Sequence, residues 1–211
     1  DFKTINKIYK KILLIIIPFS IVLSILVFNS NHIISFFFIY NSKIYLFLKI
    51  ISIGIMPLSL IYLHSESFRG MKKMLYYSLF TMMTIPFLSL LILLFCSYYN
   101  VPKIETMPII AYVFSIVFLS FFSYIIWNFT IRDNSKSFSD DIKISYSDLL
   151  KKSLPISITH LILFSLQSIS VIILGLFAEI WKIGAYEIAF KISLIINVVF
   201  FAINGIAMPK Y

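Results

Sequence analysis

Residues 107–129 read MPIIAYVFSIVFLSFFSYIIWNF, a stretch without a single charged side chain. An α-helix needs about 20 apolar residues to cross the roughly 30 Å hydrocarbon core of a bilayer, so this stretch predicts a transmembrane helix. The whole 211-residue chain is 60% hydrophobic and only 13% charged, whereas a soluble domain carries about 25% charged residues. This composition predicts an integral membrane protein, because there is too little polar surface to enclose a water-soluble core.

Apolar blocks on both sides of this stretch predict five further spans. They lie at about 11–29, 44–63, 75–99, 153–176 and 184–207. We therefore predict an all-α fold, a polytopic bundle of about six transmembrane helices. The Phe-rich segment 30–43 is too short to cross the bilayer, and we expect it to lie in the membrane interface.

The connections between these blocks alternate in basic charge. Twelve Lys and Arg residues fall in the N-terminal segment, in 64–74 and in 130–152, whereas three fall on the other side, at Lys43, Lys103 and Lys182. Basic residues in short loops stay in the cytoplasm, so the first set predicts the cytoplasmic side. The basic residues form no single soluble face, which argues against nucleic acid as a partner.

Residue types that carry out catalysis are sparse and scattered. His32, His64 and His160 lie far apart in the sequence, and the single Cys96 lies inside an apolar block. No spacing matches a metal site, and no disulfide can form within the chain. We therefore expect no enzymatic activity, no cofactor and no metal. Polar groups inside membrane spans indicate transport.

Two lysines lie inside predicted spans. Lys191 follows Glu187 by four residues, roughly 10 Å inside the sixth span, where it either forms an ion pair with Glu187 or faces a substrate. Lys49 lies roughly 8 Å inside the second span, where it either extends to the headgroups or contacts an anionic headgroup.

The fifth and sixth predicted helices each carry a polar stripe. Such stripes either join helices or line a cavity. The candidate substrate-binding residues are Lys191, Lys49, His160, Gln167, Asn197 and Asn204.

A series of different short motifs lies in the last third of the chain. They are LLKKSLP at 149–155, LGLF at 174–177, IGAY at 183–186 and INGIAMP at 203–209, preceded by the turn FRGMKK at 68–73. This series resembles the polysaccharide-exporter branch of the multidrug/oligosaccharidyl-lipid/polysaccharide flippase superfamily, which includes O-antigen and capsule flippases. The likeness covers about 60–210.

The resemblance implies a two-halved transporter of twelve to fourteen helices, of which this chain would supply the third to the eighth. Residues 1–135 would end the N-terminal half, 136–152 would form a cytoplasmic connection, and 153–211 would begin the C-terminal half. By alternating access, such a protein would move polyprenyl-pyrophosphate-linked oligosaccharides across the bacterial inner membrane, for O-antigen, lipopolysaccharide or capsule export. Lys191 matches a basic residue of the family that would meet the pyrophosphate. The implied partners are this substrate, membrane lipids and other polysaccharide assembly proteins.

Three alternatives stay open at this point. A drug or cation antiporter of the same superfamily would need carboxylates inside the membrane, and here Glu187 is the one embedded acid against two embedded lysines. An enzymatic membrane subunit of polysaccharide assembly would need a sizeable polar loop. A non-transporting scaffold of the same assembly makes no demand on these residues.

Overall fold

The computed structural model describes residues 2–30, 42–80, 84–102, 104–133 and 146–193. Within these ranges the chain forms α-helices and no strand, so the predicted all-α class is confirmed. The helices are α1 (Phe2–Phe28), α2 (Ser42–Gly70), α3 (Met74–Phe80), α4 (Thr84–Tyr98), α5 (Met107–Asp133), α6 (Tyr146–Phe177) and α7 (Ile180–Ser193).

Four of these helices, α1, α2, α5 and α6, are long and apolar enough to cross a membrane. The pair α3 and α4 makes a fifth candidate if it is taken as one bent span. The described residues therefore contain four or five candidate spans, against the six predicted. The predicted span 184–207 is described only as far as Ser193, and its remainder lies outside the described residues, as does most of the predicted interfacial segment 30–43.

The predicted single span 75–99 is wrong in one respect, because α3 and α4 are separate helices at an angle of 50°. Pro86 lies in the first turn of α4, where the backbone needs no N–H donor. The same proline disfavours a helix that continues back through the preceding turn, which accounts for the separate start of α4.

Two helices end in the same type of C-terminal cap. Beyond α2, Lys72 has a φ of 59°, and the amides of Lys73 and Lys72 donate to the carbonyls of Phe68 and Arg69 at 2.9 Å each. This pairing is the Schellman motif, which satisfies carbonyls that a helix end leaves open. Asn100, with a φ of 51°, occupies the equivalent position after α4.

Other helix bounds also differ from the prediction. The N-terminal segment, predicted as a connection, is helical from Phe2, and α2 continues to Gly70 instead of ending near 63. Helix α6 begins at Tyr146, so the end of the predicted connection 136–152 and the predicted span 153–176 form one helix. Helix α7 begins at Ile180, four residues before the predicted span 184–207, and Trp181 lies in its first turn.

Contacts divide the chain into two units, Asp1–Asp141 and Ile142–Tyr211, and the division falls inside the predicted connection 136–152. In the first unit α2 packs against α1, α3 and α5, and α4 packs against α5. A Cβ on Gly54 would lie 3.5 Å from Ile116, so α2 and α5 approach closely there. The second unit contains α6 and α7, whose apolar side chains are largely exposed.

Candidate functional site

Lys191 and Glu187 form an ion pair on α7. The Nζ atom of Lys191 lies 2.9 Å from Oε1 of Glu187, and 70% of the lysine side chain is exposed. The acid precedes the base by four residues, the order that suits a helical pair. The pair neutralises both charges locally, and the proposed contact of Lys191 with a substrate stays a prediction.

Lys49 lies in the first unit, near the start of α2, and its partners are aromatic rings. Its ammonium is 4.2 Å from the ring centroid of Tyr45 and 5.1 Å from that of Phe28 on α1. Both distances are within the range of a cation–π contact, which stabilises a cation without cancelling its charge. Lys49 is half-buried. Because the rings do not cancel its charge, it remains able to attract an anion.

The other predicted site residues are only partly described. His160 lies on the exposed surface of α6, where its Nδ1 donates to the carbonyl of Ile156 at 2.8 Å. Gln167 lies on the same helix. Asn197 and Asn204 lie outside the described residues. Lys49 belongs to the first unit, whereas His160, Glu187 and Lys191 belong to the second.

A buried histidine that the sequence did not single out joins three helices of the first unit. His64 on α2 is fully buried, with Nε2 at 2.9 Å from the hydroxyl of Tyr9 on α1 and Nδ1 at 2.8 Å from Oγ of Ser123 on α5. Inside an apolar bundle an unpaired imidazole would be costly, and here both ring nitrogens have partners.

The direction of this hydrogen-bond chain follows from proton counting. The hydroxyl of Ser123 donates its one proton to the carbonyl of Ser120 at 2.8 Å. It must therefore accept from Nδ1–H of His64, since a hydroxyl has a single proton to donate. In the neutral imidazole Nε2 is then the acceptor, and Tyr9 donates to it. The chain runs from α1 through α2 to α5.

Aromatic rings surround this histidine. Trp127 is fully buried, with its ring centroid 4.7 Å from that of Tyr9, 5.5 Å from that of Phe68 and 5.9 Å from that of His64. A tryptophan near the end of an apolar block is expected at the membrane interface, and for Trp127 that expectation is wrong, because its ring belongs to the core. Its Nε1 is buried and has no hydrogen-bond partner in the described part of the chain.

These contacts bring the basic segments of the first unit to one end. Tyr9 near the start of α1 meets His64 near the end of α2 and Trp127 near the end of α5, so the three helix ends lie together. The lysines of α1 and the turn with Lys72 are therefore at this end, and Lys49 lies toward the opposite end. This arrangement is the one that a charge-sorted topology requires.

A pocket near that opposite end offers little chemistry for a charged ligand. It has a volume of about 280 Å³ and is lined by Leu93, Cys96, Ser97, Val101, Ile104, Met107 and Pro108. Among the residues that the structure describes, no group of three His, Cys, Asp or Glu side chains could hold a metal ion.

The sequence contained a partial signal for His64. The polar stripes of the fifth and sixth predicted helices were recognised. The predicted second span ended at residue 63, one position before His64, so the histidine was assigned to a connection. Had α2 been continued to Gly70, His64 would have been an ionisable residue within an apolar helix, which is a recognised signal of a functional site.

Comparisons with models of protein families, with curated proteins and with solved structures find no match to this chain.

Proposed function

We propose that this chain belongs to a transporter that moves polyprenyl-pyrophosphate-linked oligosaccharides across the bacterial inner membrane by alternating access. The observation that carries the proposal is the environment of Lys49. Its ammonium lies among apolar helices against Tyr45 and Phe28, and these rings leave its positive charge available. A pyrophosphate passing through the membrane requires such a cation.

The shape of the first unit supports a transporter over an enzyme. In the described part of the chain a short turn joins Gly70 of α2 to Met74 of α3, and buried polar groups hold α1, α2 and α5 together. A membrane-bound polymerase or glycosyltransferase would need a polar chamber for sugar chemistry, and the pocket beside Cys96 is lined mainly by apolar side chains.

The charge balance supports an anionic substrate over a cationic drug. The acids whose side chains the structure describes are exposed or half-buried, and none of these lies in the core. Glu66 on α2 is bonded to Arg69 at 2.7 Å, and Glu187 on α7 is bonded to Lys191 at 2.9 Å. A cation antiporter would need a carboxylate free to bind and release its cargo.

Export of surface polysaccharide tests the proposal directly. In a strain lacking the native protein, we expect Lys49→Gln to lower export at least tenfold and Lys49→Arg to retain part of it, because the charge survives. The matched control is Lys182→Gln, since Lys182 also lies over an aromatic ring, at 5.3 Å from Trp181, but pairs with Glu179 at 3.5 Å.

The amount of full-length protein in the membrane is measured for each variant. Normal export by a well-expressed Lys49→Gln variant would contradict the proposed role of this lysine. Normal export by the strain that lacks the protein altogether would contradict the proposed function. Drug sensitivity of the same strain, restored by the wild-type protein with no change in polysaccharide, would favour the antiporter.

Orientation is tested with two exposed positions in equivalent caps, Lys72 and Asn100, at opposite ends of the first unit. Each is replaced by cysteine in a Cys96→Ser background. Both positions have a positive φ, so the two substitutions place cysteine in the same backbone conformation. We expect an impermeant thiol reagent to label position 100 in intact cells and position 72 only after lysis. The opposite pattern would reverse the predicted topology.

A further inference from the structure

Helix α1 has two contrasting sides. Tyr9, Ile12 and Ile16 pack into the core of the first unit. On the other side lies an open groove of about 420 Å³, lined by Lys10, Leu13, Leu14, Ile17 and Pro18. Leu13 forms the edge of the groove and also packs against the core. Its volume falls within the roughly 300–1,000 Å³ of small-molecule sites. Leu14 is 68% exposed, so the groove faces away from the described core.

The groove is polar at one end and apolar along the rest. Lys10 stands at the mouth, nearest the basic end of the unit, and the remaining lining is aliphatic. Lys10 and Pro18 are separated by about 12 Å along the helix axis, most of the roughly 15 Å depth of one bilayer leaflet. A molecule that fills the groove therefore has an anionic head and an apolar chain.

Charge on α1 strengthens this match. The helix contains no Asp or Glu between Phe2 and Phe28. At 100° per residue, Lys7 projects from the same side of the helix as Lys10 and the groove, one turn nearer the N-terminus. Basic residues near a membrane surface attract anionic lipids by electrostatic forces that decay within a Debye length.

We propose that the groove on α1 is a binding site for an anionic phospholipid, with the phosphate at Lys10 and one acyl chain along Leu14, Ile17 and Pro18. The site uses the outer side of α1 and does not depend on which substrate the protein transports. Bound lipid would cover an apolar strip of the helix while satisfying the lysine at the headgroup level.

Quenching of tryptophan fluorescence by brominated lipids tests the site. Ile21→Trp places a reporter one turn beyond Pro18 on the groove side, and Trp181→Phe removes the exposed indole of α7. The protein is reconstituted in phosphatidylcholine with either brominated phosphatidylglycerol or brominated phosphatidylcholine. We expect a preference for the anionic lipid of about fivefold, the effect of one lysine near the surface.

The matched variants then separate head and chain. Lys10→Gln should bring the preference close to one, whereas Lys152→Gln, which changes an exposed lysine on α6, should leave it intact. Leu14→Phe fills part of the groove and should weaken the preference with Lys10 still present. High salt should reduce the preference of the reporter protein that retains Lys10 and should have little effect on the Lys10→Gln variant.

Equal quenching by the two lipids would overturn the proposal. So would a preference that survives both Lys10→Gln and Leu14→Phe. Displacement of brominated phosphatidylglycerol by a small amount of polyprenyl phosphate, but not by unbrominated phosphatidylglycerol, would assign the groove to an isoprenoid lipid and overturn the phospholipid assignment. Loss of polysaccharide export in these variants is neither required nor excluded, so the result is independent of the proposed function.

Discussion

The two tryptophans of the chain lie in opposite surroundings. Trp127 in the first unit is fully buried among Tyr9, His64 and Phe68, whereas Trp181 in the second unit is 68% exposed. In the sequence both stand at or near the end of an apolar block, where tryptophan commonly marks a membrane interface. Trp127 stands in an uncharged stretch, whereas Glu179 and Lys182 lie within two residues of Trp181, and this difference in neighbouring charge matches the difference in burial.

The difference extends to the helices that carry these residues. In the first unit several of the fully buried side chains are polar, among them His64, Ser52, Ser65, Ser115 and Ser123. In the second unit the side chains that the structure describes on α6 are exposed or half-buried. Helices in a bilayer associate through small and polar residues because lipid is as apolar as leucine. The first unit shows this packing, and α6 presents an unburied surface.

Removing each tryptophan should give the largest contrast. Trp127→Ala removes a ring that is packed on every side, and we expect it to lower the free energy of unfolding by about 3–5 kcal/mol. Trp181→Ala should change it by less than about 1 kcal/mol, since its ring is mostly exposed. Unfolding of the purified protein by a denaturing detergent, followed by circular dichroism, measures both. Equal effects would show that the two environments are alike.

Two histidines give a second, smaller contrast. His64→Leu leaves the hydroxyl of Tyr9 without its acceptor, and we expect a loss of about 1–3 kcal/mol. His160→Leu should have little effect, because His160 bonds to a carbonyl of its own helix.

A double variant tests the hydrogen bond between Tyr9 and His64 more directly. Adding Tyr9→Phe to His64→Leu removes the unpaired hydroxyl and should recover part of the lost stability. If the double variant is as unstable as the sum of the two single variants, the bond between Tyr9 and His64 contributes nothing.

The ion pair on α7 should have the smallest effect on stability. Exposed helical pairs contribute about 0.2–0.5 kcal/mol, so Lys191→Ala should leave folding almost unchanged. Its effect on export decides between two roles. If Lys191 only pairs with Glu187, the double change to two alanines should export normally. If Lys191 binds phosphate, the double variant should fold but fail to export, and Lys191→Arg should keep part of the activity.

The sequence predicted the helices well where length and apolarity decide the outcome. The blocks 11–29, 44–63 and 107–129 each correspond to a candidate span. Their ends were predicted less well, because a helix continues as long as nothing stops it. Helix α2 runs on through His64 to Gly70 and is closed by a cap at Lys72, a residue type that rarely marks such a position.

The candidate site could be predicted only in part, for a different physical reason. The pairing of Glu187 with Lys191 follows from their spacing within one helix. The hydrogen bonds of His64 join residues 55 and 59 positions apart, and no local pattern carries that information. Helical periodicity places a side chain on a face of its own helix, but the choice of partner depends on how three helices meet.

Helix α6 contains 32 residues and is therefore about 48 Å long, well beyond the roughly 30 Å hydrocarbon core. If Phe177 marks the far edge of that core, the helix enters the hydrocarbon near Ser157, two residues after Pro155. The carbonyl that Pro155 leaves without a donor then lies in the hydrated headgroup layer, where water can bond to it. Amide hydrogens before Pro155 should exchange quickly with solvent, and those after it slowly. Pro155 would then mark the boundary on α6 between the hydrated headgroup layer and the hydrocarbon core.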